Sequence, residues 1–338
     1  MADRQRRIEA FLAGNGWRAG DQRRLAADAS FRTYHRLADD DRRAVLMDAP
    51  PPNEDVRAFA MLSDHLCTLG FSAPAVLARD AEAGLLLLED FGDDTYTRLL
   101  DRGVEPGPLY ALATDVLIDL HRRAPDEALL PNLPAYDTAR YLDEACLLTD
   151  WYLPAALGQP PSDSVRQDYV AAWRDVLSGV DVQPRTLVLR DYHVDNLMRI
   201  SGRRGLRACG LLDFQDAVAG PPAYDLASLL EDARRDVPAG IKIAMLERYR
   251  GAFPGLDWAA FLAAFTVLAA QRHAKVIGIF TRLCVRDGKP AYLRHIPRVW
   301  RLLDGALHAP RLGPVGLWFA RHLPPEARGI PQCRHAAQ

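Results

Sequence analysis

The stretch that decides the fold reads Leu189-Arg-Asp-Tyr-His-Val-Asp-Asn-Leu-Met198, followed after a basic turn by Cys209-Gly-Leu-Leu-Asp-Phe-Gln-Asp216. A mostly apolar run at residues 186–189 leads to Asp191, and a second run at residues 206–212 leads to Asp213. Four residues separate Asp191 from Asn196. Short apolar runs bounded by turn residues are typical of strands. The pattern therefore predicts two strands whose ends carry acidic and amide side chains.

The order of these three side chains predicts phosphoryl-transfer chemistry. Transfer from ATP needs a carboxylate that orients the attacking hydroxyl, together with an amide oxygen and a second carboxylate that hold magnesium. We predict Asp191 as the catalytic base, and Asn196 and Asp213 as ligands of Mg²⁺. An alternative is that two strands are simply joined by a polar turn, where Asp and Asn are common residues.

Other polar residues flank this stretch. His193 could contact phosphate or substrate, or it could be a loop histidine bonded to a neighbouring carbonyl. Gln215 and Asp216 follow the predicted metal ligand directly and are candidates for binding the acceptor. Asp225, at the first turn of a predicted helix, is expected to support the backbone N–H groups of the catalytic loop, and an acid at a helix start also has a plain structural role.

The rest of the chain changes character near residue 90. Strand-like segments precede that point, at residues 23–27, 33–37, 43–48, 74–78 and 84–88, with one helix before the fourth. Apolar spacing then predicts mostly helices. We therefore predict an α+β fold, with a small antiparallel-sheet lobe at residues 1–90 and a larger helical lobe at residues 91–338. The larger lobe would carry the catalytic and metal loops and the acceptor site. The tail after Pro310 is expected to pack loosely.

Two segments of the small lobe are candidates for nucleotide binding. Residues 29–34 lie between the first two strands and contain no glycine, so a plain hairpin is a nearly equal alternative to a phosphate-contacting loop. The run Leu85-Leu-Leu-Leu-Glu-Asp-Phe-Gly92 reads as a buried strand that ends in two acids. The acids could serve ribose or a contact between lobes. The candidate residues are Ser30, Phe31, Arg32, Glu89 and Asp90.

Composition limits the class of partner. The 338 residues carry a net charge of −2, which gives no reason to expect nucleic acid. The five cysteines are odd in number and lack zinc-type spacing, so reduced, buried thiols are expected. The most apolar long stretch, residues 261–280, contains four strongly polar residues and is predicted to be a buried helix and not a membrane span. We expect a cytoplasmic protein without a membrane segment or an obligate protein partner.

On these motifs the chain resembles the aminoglycoside phosphotransferase family of kinase-like enzymes. The family's catalytic loop, roughly His-Gly-Asp-x-His-x-x-Asn, is similar to residues 189–196, and its metal loop is similar to Asp213-Phe-Gln-Asp-Ala217. Its Gly-x-Pro-x-Tyr-Asp-Leu-Ala pattern resembles residues 220–227. The resemblance extends from about Ala26 to Arg286. It implies a bilobal, protein-kinase-like fold, ATP and Mg²⁺ as cofactors, and direct in-line transfer.

Within the family the chain is most similar to the anomeric sugar kinases. The resemblance rests on Ala29-Ser-Phe-Arg-Thr-Tyr-His-Arg-Leu37, Ala44-Val-Leu-Met-Asp-Ala-Pro-Pro51 and Leu86-Leu-Leu-Glu-Asp-Phe-Gly92. Those enzymes phosphorylate the C1 hydroxyl of N-acetylmuramate and N-acetylglucosamine in peptidoglycan recycling. The resemblance therefore implies a small-molecule sugar as the acceptor, with Gln215 and Asp216 as candidates for binding its hydroxyls.

Two departures keep alternatives open. Leu189 replaces the family's usual histidine, and the third strand lacks the lysine that a typical kinase places on the nucleotide phosphates. Arg32, Arg43 or loop backbone could substitute for that lysine. The alternatives are a phosphotransferase acting on another acceptor, such as an aminoglycoside, choline or homoserine, and a nucleotide-binding pseudokinase.

Overall fold

The computed structural model describes residues 2–18, 22–25, 32–39, 42–52, 54–180 and 185–332. The chain divides into two compact units. Unit 1 comprises Met1–Val116 and Val194–Ala217, and unit 2 comprises Leu117–His193 and Val218–Gln338. This division differs from the predicted lobe boundary at residue 90, because unit 1 continues into a helix and also takes in the segment that carries Asn196 and Asp213.

The chain alternates strands and helices before residue 90 and is mostly helical after it. The strands are β1 (Gln22–Arg24), β2 (Thr33–Asp39), β3 (Arg42–Asp48), β4 (Val76–Asp80), β5 (Leu85–Leu88), β6 (Thr186–Val188), β7 (Leu197–Arg199), β8 (Cys209–Leu211) and β9 (Val218–Gly220). The helices are α1 (Ala2–Gly14), α2 (Val56–Thr68), α3 (Tyr96–Asp101), α4 (Pro106–Arg122), α5 (Pro125–Ala128), α6 (Thr138–Leu147), α7 (Leu153–Leu157), α8 (Asp163–Leu177), α9 (Ala223–Leu230), α10 (Ala239–Ala252), α11 (Trp258–Val285), α12 (Ile296–Leu307) and α13 (Gly313–His322). The predicted α+β class is confirmed.

An antiparallel sheet forms the centre of unit 1. Its five strands pair in the order β1-β2-β3-β5-β4. The four leucines of β5 are all buried, which explains the unbroken apolar run that predicted this strand. Ile8 and Leu12 of α1 pack with sheet residues that include Leu37, Leu46 and Leu85. Helix α2 begins after Asp55, whose carboxylate accepts a hydrogen bond from the Arg57 backbone N–H at 2.9 Å.

A two-stranded hairpin, β7–β8, completes unit 1. Leu197 pairs with Leu211 in an antiparallel register, and the Leu212 N–H donates to the Asn196 carbonyl at 2.9 Å. This register places Asn196 and Asp213 next to each other, just beyond the same end of the hairpin. At Gly210 a Cβ atom would lie 2.8 Å from the Phe91 ring, so the close approach of the two segments requires glycine.

The long helix α11 forms the centre of unit 2. Most of its 28 residues are buried, and it packs against α6, α9 and α12. A Cβ atom at Gly278 would lie 2.3 Å from the Leu147 carbonyl carbon, so glycine is needed where α11 meets the end of α6. Residues Leu148–Tyr152 then form a π-helical turn. Among the described residues, no helix combines the length and apolar character needed to cross a membrane.

Two expectations about unit 2 and the cysteines were wrong. The tail after Pro310 does not pack loosely throughout, because α13 buries Val315 and Phe319. The thiols are also not all reduced and buried: Cys67 is free but exposed, and Cys284 is disulfide-bonded. A single sequence without a matching cysteine spacing gives no signal for that bond.

Candidate active site

A cavity of about 330 Å³ lies in unit 1, where the sheet and the β7–β8 hairpin supply its walls. The apolar lining residues are Leu25, Val45, Phe59, Pro74, Leu88, Phe91, Met198 and Leu212. Polar groups are contributed by Asp195, Asn196 and Asp213, and by the segment that follows β5. An apolar cavity of this size with a few polar groups is typical of a small-molecule site. The segment after β5 lines this cavity, and its binding of a nucleotide stays a prediction.

The two acids after β5 are held by ion pairs. The Asp90 carboxylate is 3% exposed, lies 2.8 Å from Nε of Arg36 and accepts a hydrogen bond from the Gly92 N–H at 2.9 Å. Glu89 pairs with Arg203, whose guanidinium lies 5.3 Å from the Phe91 ring centroid. These contacts fix the backbone along the cavity. A role of either acid toward ribose stays a prediction.

The predicted metal ligands are brought together at the end of the hairpin. Nδ2 of Asn196 lies 3.4 Å from Oδ2 of Asp213, and Gln215 Nε2 donates to Asp213 Oδ1 at 3.0 Å. Asp213 has a φ of 58°, a left-handed conformation that Asp tolerates better than most residues. Asp216 is exposed, 3.4 Å from the Gln215 amide. The three side chains Asn196, Asp213 and Gln215 thus form one polar cluster.

An arginine faces this cluster. The Arg32 guanidinium lies 3.3 Å from Asp213 Oδ1 and 3.6 Å from Glu54 Oε2, and its side chain is only 9% exposed. Arg32 thereby links the metal-loop carboxylate to an acid that directly precedes the cap of α2. Ser30 and Phe31, the other two residues predicted for the phosphate loop, lie outside the described residues.

In unit 2, the loop that begins after β6 is anchored by Asp225. The buried Asp225 carboxylate accepts the Leu189 N–H at 2.6 Å and the Arg190 N–H at 2.8 Å. The contacts join α9 to the backbone of this loop, and the support of a catalytic loop by Asp225 stays a prediction. Because Asp191 follows these two residues directly, Asp225 restrains the backbone from which the Asp191 side chain projects.

His193 is buried in unit 2. Its Nε2 lies 3.0 Å from Nη1 of Arg234. Burial, followed by the charges of Arg234 and Arg272, lowers the pKa of His193 well below its ordinary value. The ring is therefore neutral at physiological pH, and Nε2 accepts a hydrogen bond from Arg234. This geometry favours a supporting role for His193 in the loop over acid–base chemistry.

The environment of Asp225 predicts a pH dependence of stability. Burial raises its pKa to about 7 and outweighs the two backbone hydrogen bonds, which act in the opposite direction. Between about pH 4 and pH 7 the folded protein then holds a proton that the unfolded chain has lost, so stability falls as pH rises, by about 1.4 kcal/mol per unit. Urea unfolding at pH 5, 6 and 7 measures this slope.

The matched variant for that experiment is Asp225→Asn, which is nearly isosteric and does not titrate. This variant should be less stable than the wild type, since one backbone N–H loses its acceptor. Its free energy of unfolding should also fall less steeply between pH 5 and pH 7, by about 1.4 kcal/mol per pH unit. Equal slopes in the two proteins would contradict the assignment of the proton to Asp225.

Sequence reasoning missed one set of buried ionic residues near the catalytic loop. Glu144 on α6 pairs with Lys275 on α11 at 3.0 Å and with Arg190. A signal was present, because Lys275 is one of only three lysines and lies in an otherwise apolar helix. The pairing itself could not be inferred, since its members are separated by 46 and 131 positions.

Comparison with known proteins identifies a family model and several relatives that match most of this chain. The family model described as "Phosphotransferase enzyme family" matches residues 21–262. The chain is 36% identical to the N-acetylmuramate/N-acetylglucosamine kinase of Caulobacter vibrioides, over 97% of this chain and 99% of that protein. It is 39% identical to the protein of the same name from Pseudomonas aeruginosa, over 91% of each chain.

Solved structures with the same fold are more distant in sequence. A choline/ethanolamine kinase family protein from Mesorhizobium loti aligns with a TM-score of 0.61 at 17% identity, covering 93% of this chain and 99% of that one. An ADP-bound aminoglycoside phosphotransferase aligns with a TM-score of 0.53 at 18% identity, covering 85% and 93%. These likenesses establish that the fold is kinase-like.

Proposed function

Because this chain belongs to the phosphotransferase enzyme family, we propose that it is an ATP-dependent sugar kinase that phosphorylates the anomeric C1 hydroxyl of N-acetylmuramate and N-acetylglucosamine. The predicted family resemblance is confirmed. The names of relatives that match almost the whole chain support these two acceptors. The observation that carries the proposal is the pairing of Asn196 with Asp213 at the edge of an apolar cavity.

The cavity of unit 1 suits the adenine base of ATP. Val45, Leu88, Met198 and Leu212 would contact the base, since apolar surfaces from the sheet and the hairpin line the same space. The backbone after β5 is fixed by the Asp90 and Glu89 ion pairs and offers N–H and C=O groups to the edge of the base. The Asn196 amide and the Asp213 carboxylate also line this cavity, and the phosphates would lie beside them.

The residues present fit a magnesium ion. Asn196 and Asp213 would hold it, because amide and carboxylate oxygens are hard ligands, and Mg²⁺ usually completes its shell with water and substrate phosphate oxygens. The described residues contain no group of three His, Cys, Asp or Glu side chains that could hold a metal ion. When bound, the ion would neutralise charge on the phosphates.

Asp191 would orient the acceptor hydroxyl. In the transfer, the C1 oxygen forms a bond to the γ-phosphorus while the bond from that phosphorus to the bridging β–γ oxygen breaks, and ADP leaves. The hydroxyl proton passes to the Asp191 carboxylate. Gln215, Asp216 and His193 stay our candidates for contacts with the sugar, and His193 would act through hydrogen bonding because its ring is neutral.

Arg32 would replace the absent lysine of the small lobe. A typical kinase pairs that lysine with a glutamate of the lobe's helix and directs it to the phosphates. Arg32 lies between Glu54 and Asp213 and is mostly buried, so it has the carboxylate partner and the position beside the metal loop. A guanidinium can also bind phosphate through two parallel hydrogen bonds.

The test is product analysis with the purified protein, ATP and Mg²⁺. We expect ADP formation with both amino sugars, and a product whose phosphorus is coupled to the anomeric proton in nuclear magnetic resonance spectra. The 1-O-methyl glycoside of N-acetylglucosamine is the matched control, since it lacks only the free C1 hydroxyl and should be inert. Phosphorylation of that glycoside, or of choline or an aminoglycoside in place of the sugars, would overturn the proposal. The predicted cytoplasmic location and role in peptidoglycan recycling stay predictions.

A further inference from the structure

The residue before Asp191 adopts a strained conformation. Arg190 has a φ of 68°, and the Asp191 N–H donates to the Leu189 carbonyl at 2.8 Å, which together describe a γ-turn centred on Arg190. Turns of this positive-φ kind are rare and strained, and a residue with a Cβ atom rarely adopts them. Such a conformation persists only where the surrounding structure holds it, and it is common at functional sites.

Two independent anchors hold this turn. The backbone anchor is Asp225, which accepts the N–H groups of Leu189 and Arg190. The side-chain anchor is Glu144, whose carboxylate pairs with the Arg190 guanidinium. Both anchors belong to helices of unit 2, α9 and α6, so the turn is tied to two separate elements of the same core.

Glu144 is itself held in a fixed position. Its Oε1 lies 3.0 Å from the Lys275 ammonium, and its Oε2 accepts the Tyr136 hydroxyl at 2.6 Å. The side chains of Glu144 and Lys275 are only 11% and 8% exposed. Although burial opposes ionisation, the charges of Lys275 and Arg190 lower the pKa of Glu144, so the carboxylate is charged. We call Glu144, Lys275 and Tyr136 the Glu144 socket.

Stability alone is a weak explanation for this arrangement. Desolvation of buried ion pairs commonly cancels their attraction, and well-packed apolar residues often serve the fold as well. An arginine at a positive φ adds strain that glycine would avoid. Arg190 adds strain and directly precedes the predicted catalytic base Asp191. An effect of Arg190 on the position of Asp191 is therefore a better explanation than stability.

We propose that Arg190 is a positioning residue: the Glu144 socket holds its side chain, and the strained turn so fixed sets the direction of the Asp191 carboxylate. This inference rests on the proposed role of Asp191 and adds a residue and a socket to it. Arg190 acts through the backbone, so it contributes to the transfer step and not to nucleotide affinity. The described nucleotide cavity contains no residue of the socket.

Arg190→Gly is the decisive variant. Glycine adopts the positive φ without strain, and Glu144 keeps Lys275 and Tyr136 as partners, so the fold should be retained with an unchanged denaturation midpoint. We expect kcat to fall about 10- to 100-fold, since small misplacement of a catalytic group has effects of this size. KM for ATP should stay within twofold of the wild type. Arg190→Lys, which keeps a cation of similar reach, should recover part of kcat.

Two comparisons keep the outcomes distinct. In a Glu144→Gln background, Arg190→Gly should cause little further loss of kcat, because the socket is already broken. Arg204→Gly, at an exposed arginine of unit 1, is the matched control and should have wild-type kcat. A wild-type kcat in Arg190→Gly, beside an inactive Asp191→Asn, would overturn this inference and leave the proposed function intact. Full activity in Asp191→Asn would instead reject the proposed function.

Discussion

Asp191→Asn should lower kcat by about 10³-fold, the scale expected when a positioned acid–base group is removed. Asparagine keeps the size of the side chain and can still contact the acceptor hydroxyl, but it cannot take the proton. Asp191 is half-buried, and its backbone is anchored through its neighbours by Asp225, so the fold should not depend on its charge. The measurement is ADP release with saturating ATP and N-acetylmuramate.

The comparison variant is Asp168→Asn, which removes an exposed carboxylate from α8 in the same unit and should have wild-type kcat. KM for ATP should change little in Asp191→Asn, because the cavity described in unit 1 does not contain this residue. If Asp191→Asn turned over at more than a tenth of the wild-type rate, another group would have to accept the proton.

The strand that precedes Asp213 was predictable, but the pairing that brings Asn196 beside Asp213 was not. The runs predicted as strands, residues 186–189 and 206–212, correspond to β6 and β8, which pair with β9 and β7 and not with each other. Strand β7, only three residues long, was not among the predicted strands, and its antiparallel register with β8 is what places Asn196 next to Asp213. Local order does not explain the contacts of Asp225, because they join it to the N–H groups of Leu189 and Arg190, 36 and 35 positions away.

The contacts that hold the site from a distance were not predictable. Arg36 and Asp90 are 54 positions apart, and Glu144 and Lys275 are 131 positions apart, so no local pattern relates them. The strained turn at Arg190 is equally hidden, because an arginine gives no reason to expect a positive φ. Sequence patterns identify groups that carry chemistry, whereas their supports are selected by packing between distant elements.

The segment after Pro310 shows that composition alone did not predict packing. Its high content of Pro, Gly and Arg favoured loose packing, yet Val315, Trp318 and Phe319 follow a helical spacing and are buried in α13. Phe319 packs edge-on against Trp300 of α12, with ring centroids 5.7 Å apart. The short apolar face of α13 therefore determined the packing of this segment despite its Pro, Gly and Arg content, because α12 supplied a surface on which that face could be buried.

Asp213→Asn should have an effect as large as the loss of the base. The variant keeps an oxygen toward the Gln215 amide but removes the charge that would hold Mg²⁺ beside Asn196. Removing one electrostatic partner of the transferring group typically costs about 10²- to 10³-fold in kcat. The measurement is kcat across a series of Mg²⁺ concentrations at saturating ATP. Half-maximal activity should require more Mg²⁺ than in the wild type.

A direct measurement of metal binding distinguishes loss of the metal from loss of the fold. Calorimetric titration of Mn²⁺ into the nucleotide complex should show weaker binding in Asp213→Asn, while Asp64→Asn, at an exposed acid of α2, should match the wild type. Arg32 would retain Glu54 as a partner, so unit 1 should stay folded. An Asp213→Asn protein with wild-type metal affinity and low kcat would assign Asp213 to orientation of Arg32 and not to the ion, because the Arg32 guanidinium contacts its carboxylate.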